Sequence, residues 1–236
     1  MKKIGFISLG CPKNLVDTEI MITILNNKGY SITNDSNEAD IIVINTCGFI
    51  ESAKQESIDT IIEMGNLNKN KKIIVAGCLA QRYGKEIIKE MPEVNAVVGT
   101  GCFERIIEAI EDNPDKIYVD KPYNLDFLKN KRNILTNNSF AYLKIAEGCD
   151  NCCSYCVIPS IRGGYKSRNL KDVVREAEFL AKKGIKEIIL IAQDTTRYGM
   201  DIYGKRKISE LIREIGKIRE IEWIRLLYCY PDEIDD

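Results

Sequence analysis

Four short apolar runs rich in β-branched residues, Ile4–Leu9, Ile41–Ile44, Ile73–Ala76 and Val94–Val98, punctuate the first hundred residues. Runs of that length and composition suit parallel strands buried on both faces. Between them lie stretches of helical period, Leu15–Leu25, Ile50–Met64 and Arg82–Ile88, and a final helix is expected around Phe103–Ile110. Strand and helix alternating in this way predict an α/β fold: an open, doubly wound domain whose parallel sheet is covered by its crossover helices.

The rhythm breaks from about Asp112 to Ser139, where two prolines and many Asn and Lys residues predict a linker or long crossover. A second β/α series then begins: strand Phe140–Ala146, helix Leu170–Lys183, strand Glu187–Ile191, helix Ile208–Ile218 and strand Trp223–Tyr228. The expected division is an α/β domain over residues 1–111, a linker over 112–138 and a second domain over 139–236. Three parallel strands alone would leave a long apolar edge unpaired, which natural proteins avoid. The second domain is therefore expected to be the N-terminal half of a partial, TIM-like β/α barrel, and the chain a fragment or truncated copy of a longer protein.

An apolar fraction of 44% and a charged fraction of 29% are those of a soluble globular protein. With 34 basic against 35 acidic residues no overall basic field draws in nucleic acid, and no direct nucleic-acid binding is expected. No apolar run approaches the roughly 18 residues of a membrane span. The opening MKKIGFISLGC imitates a lipoprotein signal, but its apolar stretch of about seven residues is short for one and suits a first strand better. A cytoplasmic protein without membrane attachment is expected.

Nine cysteines and no histidine narrow the chemistry. An odd count in a reducing compartment argues against a disulfide framework. Without imidazole there is no mixed Cys/His zinc finger and no Cys–His nucleophile. A thiolate-only metal site or burial as small apolar residues remains. Cys11, Cys47 and Cys78 each follow a predicted strand, and the carboxyl ends of parallel strands gather at the edge where ligands bind. Gly10, Gly48 and Gly77 flank them, leaving room for a bulky group against the backbone. Three thiolates suit an iron–sulfur cluster with one open iron better than a structural zinc, which takes four ligands; the alternative is three buried core cysteines. Cys102, after VVGTG, is a possible fourth ligand or, more simply, a core residue.

The segment GCDNCCSYC holds Cys149, Cys153 and Cys156 as C-x-x-x-C-x-x-C, with Cys152 extra. The competing parse, two abutting C-x-x-C pairs forming a zinc knuckle, is strained because zinc ribbons separate their pairs by a long loop. The loop follows the first strand of the second series, on the face that carries active sites in β/α barrels. Tyr155 stands beside the last cysteine, either against a bound nucleoside or as plain loop packing. A reading from another class is a non-catalytic metal–thiolate module, iron–sulfur or zinc, or an inactive fragment. Cys152 and Cys229 have no assigned role.

This spacing and placement resemble the radical S-adenosylmethionine (SAM) superfamily. The resemblance implies that Cys149, Cys153 and Cys156 hold a 4Fe-4S cluster whose remaining iron chelates the amino and carboxylate groups of SAM. A low-potential cluster would then cleave SAM to methionine and a 5′-deoxyadenosyl radical that abstracts hydrogen. The preceding doubly wound domain with its strand-end cysteines is similar to the methylthiotransferases, which implies that Cys11, Cys47 and Cys78 hold a second 4Fe-4S cluster carrying the sulfur to be inserted. Four stretches, SLGCPKNLVDTE, VIPSIRGGYKSR, IAQDTTRYGMD and RLLYCYPDEID, resemble the branch that modifies an aspartate of small-subunit ribosomal protein S-twelve; the rival branch modifies an adenosine of transfer RNA. The implied reaction is methylthiolation at the aspartate β-carbon. A second SAM would supply the methyl group and a flavodoxin or ferredoxin the electrons, with the sulfur donor unassigned. Arg162, Arg168, Gln193 and Asp194 fall on loops near the cysteine cluster. Together with Tyr155 they are candidate contacts to cofactor or substrate, or structural loop residues. The family's later barrel strands and small C-terminal β-domain are not in this sequence. The Asn68–Lys72 run, NKNKK, is expected to be a solvated loop.

Overall fold

The computed structural model describes residues 2–67, 71–112, 114–120, 132–136 and 139–233. It divides into two compact units: one reaching Asn133 and including Ser160–Arg162, the other comprising Ile134–Pro159 and the chain from Gly163. All nine cysteines are free. Among the described residues no helix is long and apolar enough to cross a membrane.

The first unit alternates β1 (Lys3–Ser8), α1 (Pro12–Asn27), β2 (Ser31–Thr33), β3 (Ile41–Thr46), α2 (Glu51–Leu67), β4 (Lys72–Gly77), α3 (Cys78–Glu90), β5 (Val94–Val98), α4 (Ile106–Glu111) and β6 (Lys116–Tyr118). All six strands are parallel, in the order β2-β1-β3-β4-β5-β6. The winding reverses between β1 and β3, and an open α/β sheet binds ligands at such a switch point, beyond the strands' carboxyl ends. The register brings those ends level: Ser8 lies opposite Asn45, and Thr46 opposite Gly77. Every residue of β3 is buried, as helices on both faces require. Ile42, Ile44, Val75 and Val97 of the strands pack with Ile61 of α2 and Leu79 of α3.

The edge strands β2 and β6 are not among those the apolar pattern predicts, and β6 falls in the stretch that reads as a linker. Both are three residues long, short as edges usually are. The expected loop Asn68–Lys72 lies outside the described residues at 68–70. Lys72 instead opens β4, and its Nζ donates to the carbonyls of Ile110 and Asp112 at the end of α4, at 2.8 and 2.7 Å, where a helix favours a cation.

In the second unit, β7 (Phe140–Lys144), β10 (Glu187–Ile191) and β11 (Trp223–Leu226) form a parallel sheet with β10 in the middle. The helices α6 (Leu170–Lys182) and α8 (Ile208–Ile215) repeat the strand–helix–strand unit of a β/α barrel. Ala141, Leu143, Ile188 and Leu190 pack with Val173, Ala177, Leu180, Leu211 and Ile215. The last strand stops earlier than the apolar pattern predicts, because Tyr228, at φ 63°, leaves the extended region. A two-residue antiparallel ribbon, β8 (Ala146–Glu147) with β9 (Lys166–Ser167), brackets the cysteine loop. Also present are the short helices α5 (Ile158–Arg162) and α7 (Met200–Tyr203).

Candidate metal centres

Cys11 caps the N-terminus of α1, Cys47 follows β3 directly and Cys78 opens α3. All three stand at the carboxyl ends of β1, β3 and β4, around the switch point. Gly10, at φ 86°, permits the approach: a Cβ there would lie 2.9 Å from Cys47 Cβ and 3.5 Å from its Sγ. The Asn14 side chain is the hub. Its Oδ1 lies 4.0 Å from Cys11 Sγ and 3.7 Å from Cys78 Sγ, while its Nδ2 donates to the Leu9 and Thr46 carbonyls at 3.1 and 2.9 Å. The ends of β1 and β3 are thus tied to the first turn of α1.

Beneath the thiols lies a buried polar floor. Asn45 Nδ2 donates to the Asn14 carbonyl at 2.7 Å and to Thr18 Oγ1 at 2.9 Å, and Thr18 bonds Ser8 at 3.0 Å. The Asn45 Oδ1 atom is buried and has no hydrogen-bond partner among the described residues. Arg162, assigned to this unit, donates to Asp17 at 2.9 Å, to Asn14 Oδ1 at 2.6 Å and to Cys78 Sγ at 3.3 Å. Burial pushes the Cys78 thiol above its ordinary value; Arg162 opposes this by charge and hydrogen bond, and Cys11 and Cys47 add smaller upward pushes.

In the second unit, Cys149 follows the ribbon and is buried, Cys153 and Cys156 are half-buried, and Cys152 is exposed at φ 49°. The Cys156 amide donates to the Cys153 carbonyl at 2.9 Å, and the Cys149 amide to the Gly163 carbonyl at 3.1 Å. Gly148, at φ 76°, lets the two sides of the loop touch, since a Cβ there would lie 2.1 Å from the Gly164 carbonyl. Asp194 is fully buried: it accepts from Asn151 at 3.0 Å and Thr196 at 2.6 Å, while its carbonyl accepts from the Tyr165 hydroxyl at 2.8 Å. Arg197 completes the brace by donating to Asn151 at 2.7 Å. Beside it Lys144 pairs with Glu147 at 2.8 Å, and Glu147 accepts from Gln193 at 2.7 Å. Gln193 Oε1 is buried and has no hydrogen-bond partner among the described residues. Burial, more than the neighbouring Cys156 and Cys153, raises the Cys149 thiol.

The other expected residues divide. Tyr155 is 82% exposed beside the cysteines. Arg168 is a brace, holding the Lys144 carbonyl at 2.7 Å and pairing with Glu176 at 2.6 Å. Arg162 closes α5, and its guanidinium meets Asp17 and Asn14. Cys102 is buried, and its Sγ lies 3.8 Å from Asp120 Oδ2. Sequence reasoning misses Asn14, Asp17, Thr18 and Asn45. A signal for three of them exists: Asn14, Asp17 and Thr18 recur at helical spacing on a face of α1 that is otherwise apolar and buried.

Among the described residues no group of three or more Cys, Asp or Glu side chains is placed to hold a single metal ion. Donor sets made of thiols alone are of the kind that hold iron–sulfur clusters. The acceptor Gln193 Oε1, unpartnered among the described residues, fits a ligand that carries donors.

Residues 3–99 match the family described as Uncharacterized protein family UPF0004, and residues 143–234 match the Radical SAM superfamily. Three curated relatives, from Acetivibrio thermocellus, Thermoanaerobacter sp. (strain X514) and Clostridioides difficile, are 58%, 54% and 51% identical over 100% of this chain. Each is named ribosomal protein uS12 methylthiotransferase RimO. The chain spans about half the length of these relatives, 54–55%. Among solved structures, the fold is similar to that of the radical S-adenosylmethionine methyltransferase TsrM from Kitasatospora setae with cobalamin and a [4Fe-4S] cluster bound. Its TM-score is 0.60 at 16% identity, covering 100% of this chain and 57% of that one. The cobalamin-dependent S-adenosylmethionine radical enzyme OxsB matches with a TM-score of 0.51 at 13% identity, over 92% of this chain and 37% of that one. Over its whole length the chain is similar to proteins named RimO, and residues 143–234 carry the match to the Radical SAM superfamily.

Proposed function

We propose that this chain serves the methylthiolation of an aspartate β-carbon in ribosomal protein uS12, using two 4Fe-4S clusters and SAM. Cys149, Cys153 and Cys156 would hold the cluster that binds SAM, with Tyr155, Gln193 and Asp194 as its surroundings; Cys11, Cys47 and Cys78 would hold the other. When bound, these groups supply hydrogen-atom abstraction from an unactivated carbon and the sulfur and methyl that replace the hydrogen. The residues of the chain orient and enclose. Asn14 keeps the strand ends together, the Gly148 contact and the Asp194 brace fix the cysteine loop, and Gln193 offers a buried acceptor to a bound donor. Electrons would come from a flavodoxin- or ferredoxin-like protein in the cytoplasm.

The observation that supports this reading is that Cys11 and Cys78, far apart in sequence, both face the Asn14 amide at the switch point, with Cys47 close enough to Cys78 to act on its thiol. Anaerobic reconstitution with iron and sulfide tests it. We expect about eight irons per chain, falling to about four in Cys78→Ala and in Cys156→Ala. Uptake of zinc at one or two per chain, with no iron, rejects it. Incubation with uS12 and with transfer RNA, read by mass spectrometry, separates the acceptors.

A further inference from the structure

Arg162 is 2% exposed, and Asp17, which it pairs with, is fully buried. Burying such a pair gains little or no stability by itself, because both ions lose their hydration. Stability therefore does not explain why the guanidinium also bonds Asn14 Oδ1 at 2.6 Å and Cys78 Sγ at 3.3 Å. The planar fork of arginine presents donors in fixed directions. Here Nη1 takes Asp17 while Nη2 faces Asn14 and the sulfur. Asn14 Oδ1 in turn lies near both Cys11 and Cys78.

We propose that Arg162 is a positioning residue for the trio Cys11, Cys47 and Cys78, fixing Cys78 and the Asn14 hub and setting the reduction potential of the cluster bound there. The proposal rests on the reading that this trio holds a cluster. Hydrogen bonds to the sulfurs and local charge are among the levers that set such potentials. A donor on Cys78 Sγ and a cation beside it both stabilise the reduced, more negative state. Asp17 limits how much of that positive charge the sulfur experiences, so the two residues act in opposite directions.

The test uses the full chain with Cys149, Cys153 and Cys156 all changed to Ala, so that only the first trio takes iron. Iron content, electron paramagnetic resonance of the reduced cluster and its midpoint potential are then measured in this parent and in Arg162→Met, Arg162→Lys and Asp17→Asn. Arg162→Met is expected to shift the midpoint negative and change the resonance, Arg162→Lys to recover part of the shift, and Asp17→Asn to shift the midpoint positive. Unchanged potentials overturn the proposal, as do shifts of one sign in all variants, which general loosening would give. Should Arg162→Met fail to fold by circular dichroism, Arg162→Lys and Asp17→Asn decide: without shifts of opposite sign the proposal fails. If the parent takes up no iron, the reading of the first trio falls, and this inference with it, before any Arg162 variant is compared.

Discussion

The two cysteine trios are assembled by opposite means. Cys149, Cys153 and Cys156 sit in one short loop closed by a two-residue ribbon, so their closeness is almost guaranteed by the chain itself. Cys11, Cys47 and Cys78 come from three separate strand ends and meet only because the sheet order puts β1, β3 and β4 side by side. A local site needs its loop braced, and Gly148, Asn151 and Asp194 brace it. A distributed site needs the whole sheet in register, and a polar floor of Asn14, Thr18 and Asn45 locks the strand ends together. Each trio is therefore vulnerable in a different place.

Glycine substitutions should separate the two trios most clearly. Gly77 has φ 92°, and a Cβ there would lie 2.2 Å from Asn45 Oδ1; Gly148 has φ 76° and would meet the Gly164 carbonyl at 2.1 Å. With backbone strain of about 1–3 kcal/mol added to a clash against fixed atoms, each Ala variant should lose about 3 kcal/mol or more. Gly77→Ala should empty the first trio while sparing the second, and Gly148→Ala should do the reverse. Iron content measured alongside thermal melting checks this, and equal loss at both sites from either variant would remove the distinction.

Asn45→Ala has a smaller expected effect, because it removes two buried hydrogen bonds and creates little clash. A loss of about 2 kcal/mol is expected, seen as a lower urea midpoint together with weaker iron retention at the first trio. A lower midpoint with full retention there would mean that the polar floor supports the fold and not the site.

Cys152→Gly probes the local trio by relieving strain in its loop. Cys152 holds a left-handed conformation at φ 49° and is exposed, which costs a non-glycine residue about 1 kcal/mol. The variant should melt slightly higher and keep its full iron content. Loss of iron would make Cys152 a ligand and return the loop to the zinc-knuckle parse.

The strands β3, β4 and β5 are legible in the sequence because burial on both faces demands runs rich in β-branched residues, and the partly buried β1 is legible from its short apolar run. The edge strands β2 and β6 carry no such demand; Ser31–Thr33 and Lys116–Tyr118 are extended because a neighbouring strand supplies their hydrogen bonds. The apolar pattern likewise overruns the end of β11, where a positive φ at Tyr228 ends the strand. The buried polar residues of α1 are readable only as exceptions on an apolar face, without a hint of what they meet.

Composition, period and spacing are local properties, and they settle three things about this protein. They say which residues carry thiols, that no histidine competes with them, and that each of the first three cysteines follows a short apolar run. Tertiary packing adds that Asn14 stands between Cys11 and Cys78, and that Arg162 turns to Asp17 and Cys78. Such pairings join positions as far as 145 apart in sequence. They exist because parallel strand order and register, set by packing of the whole sheet, determine which strand ends become neighbours.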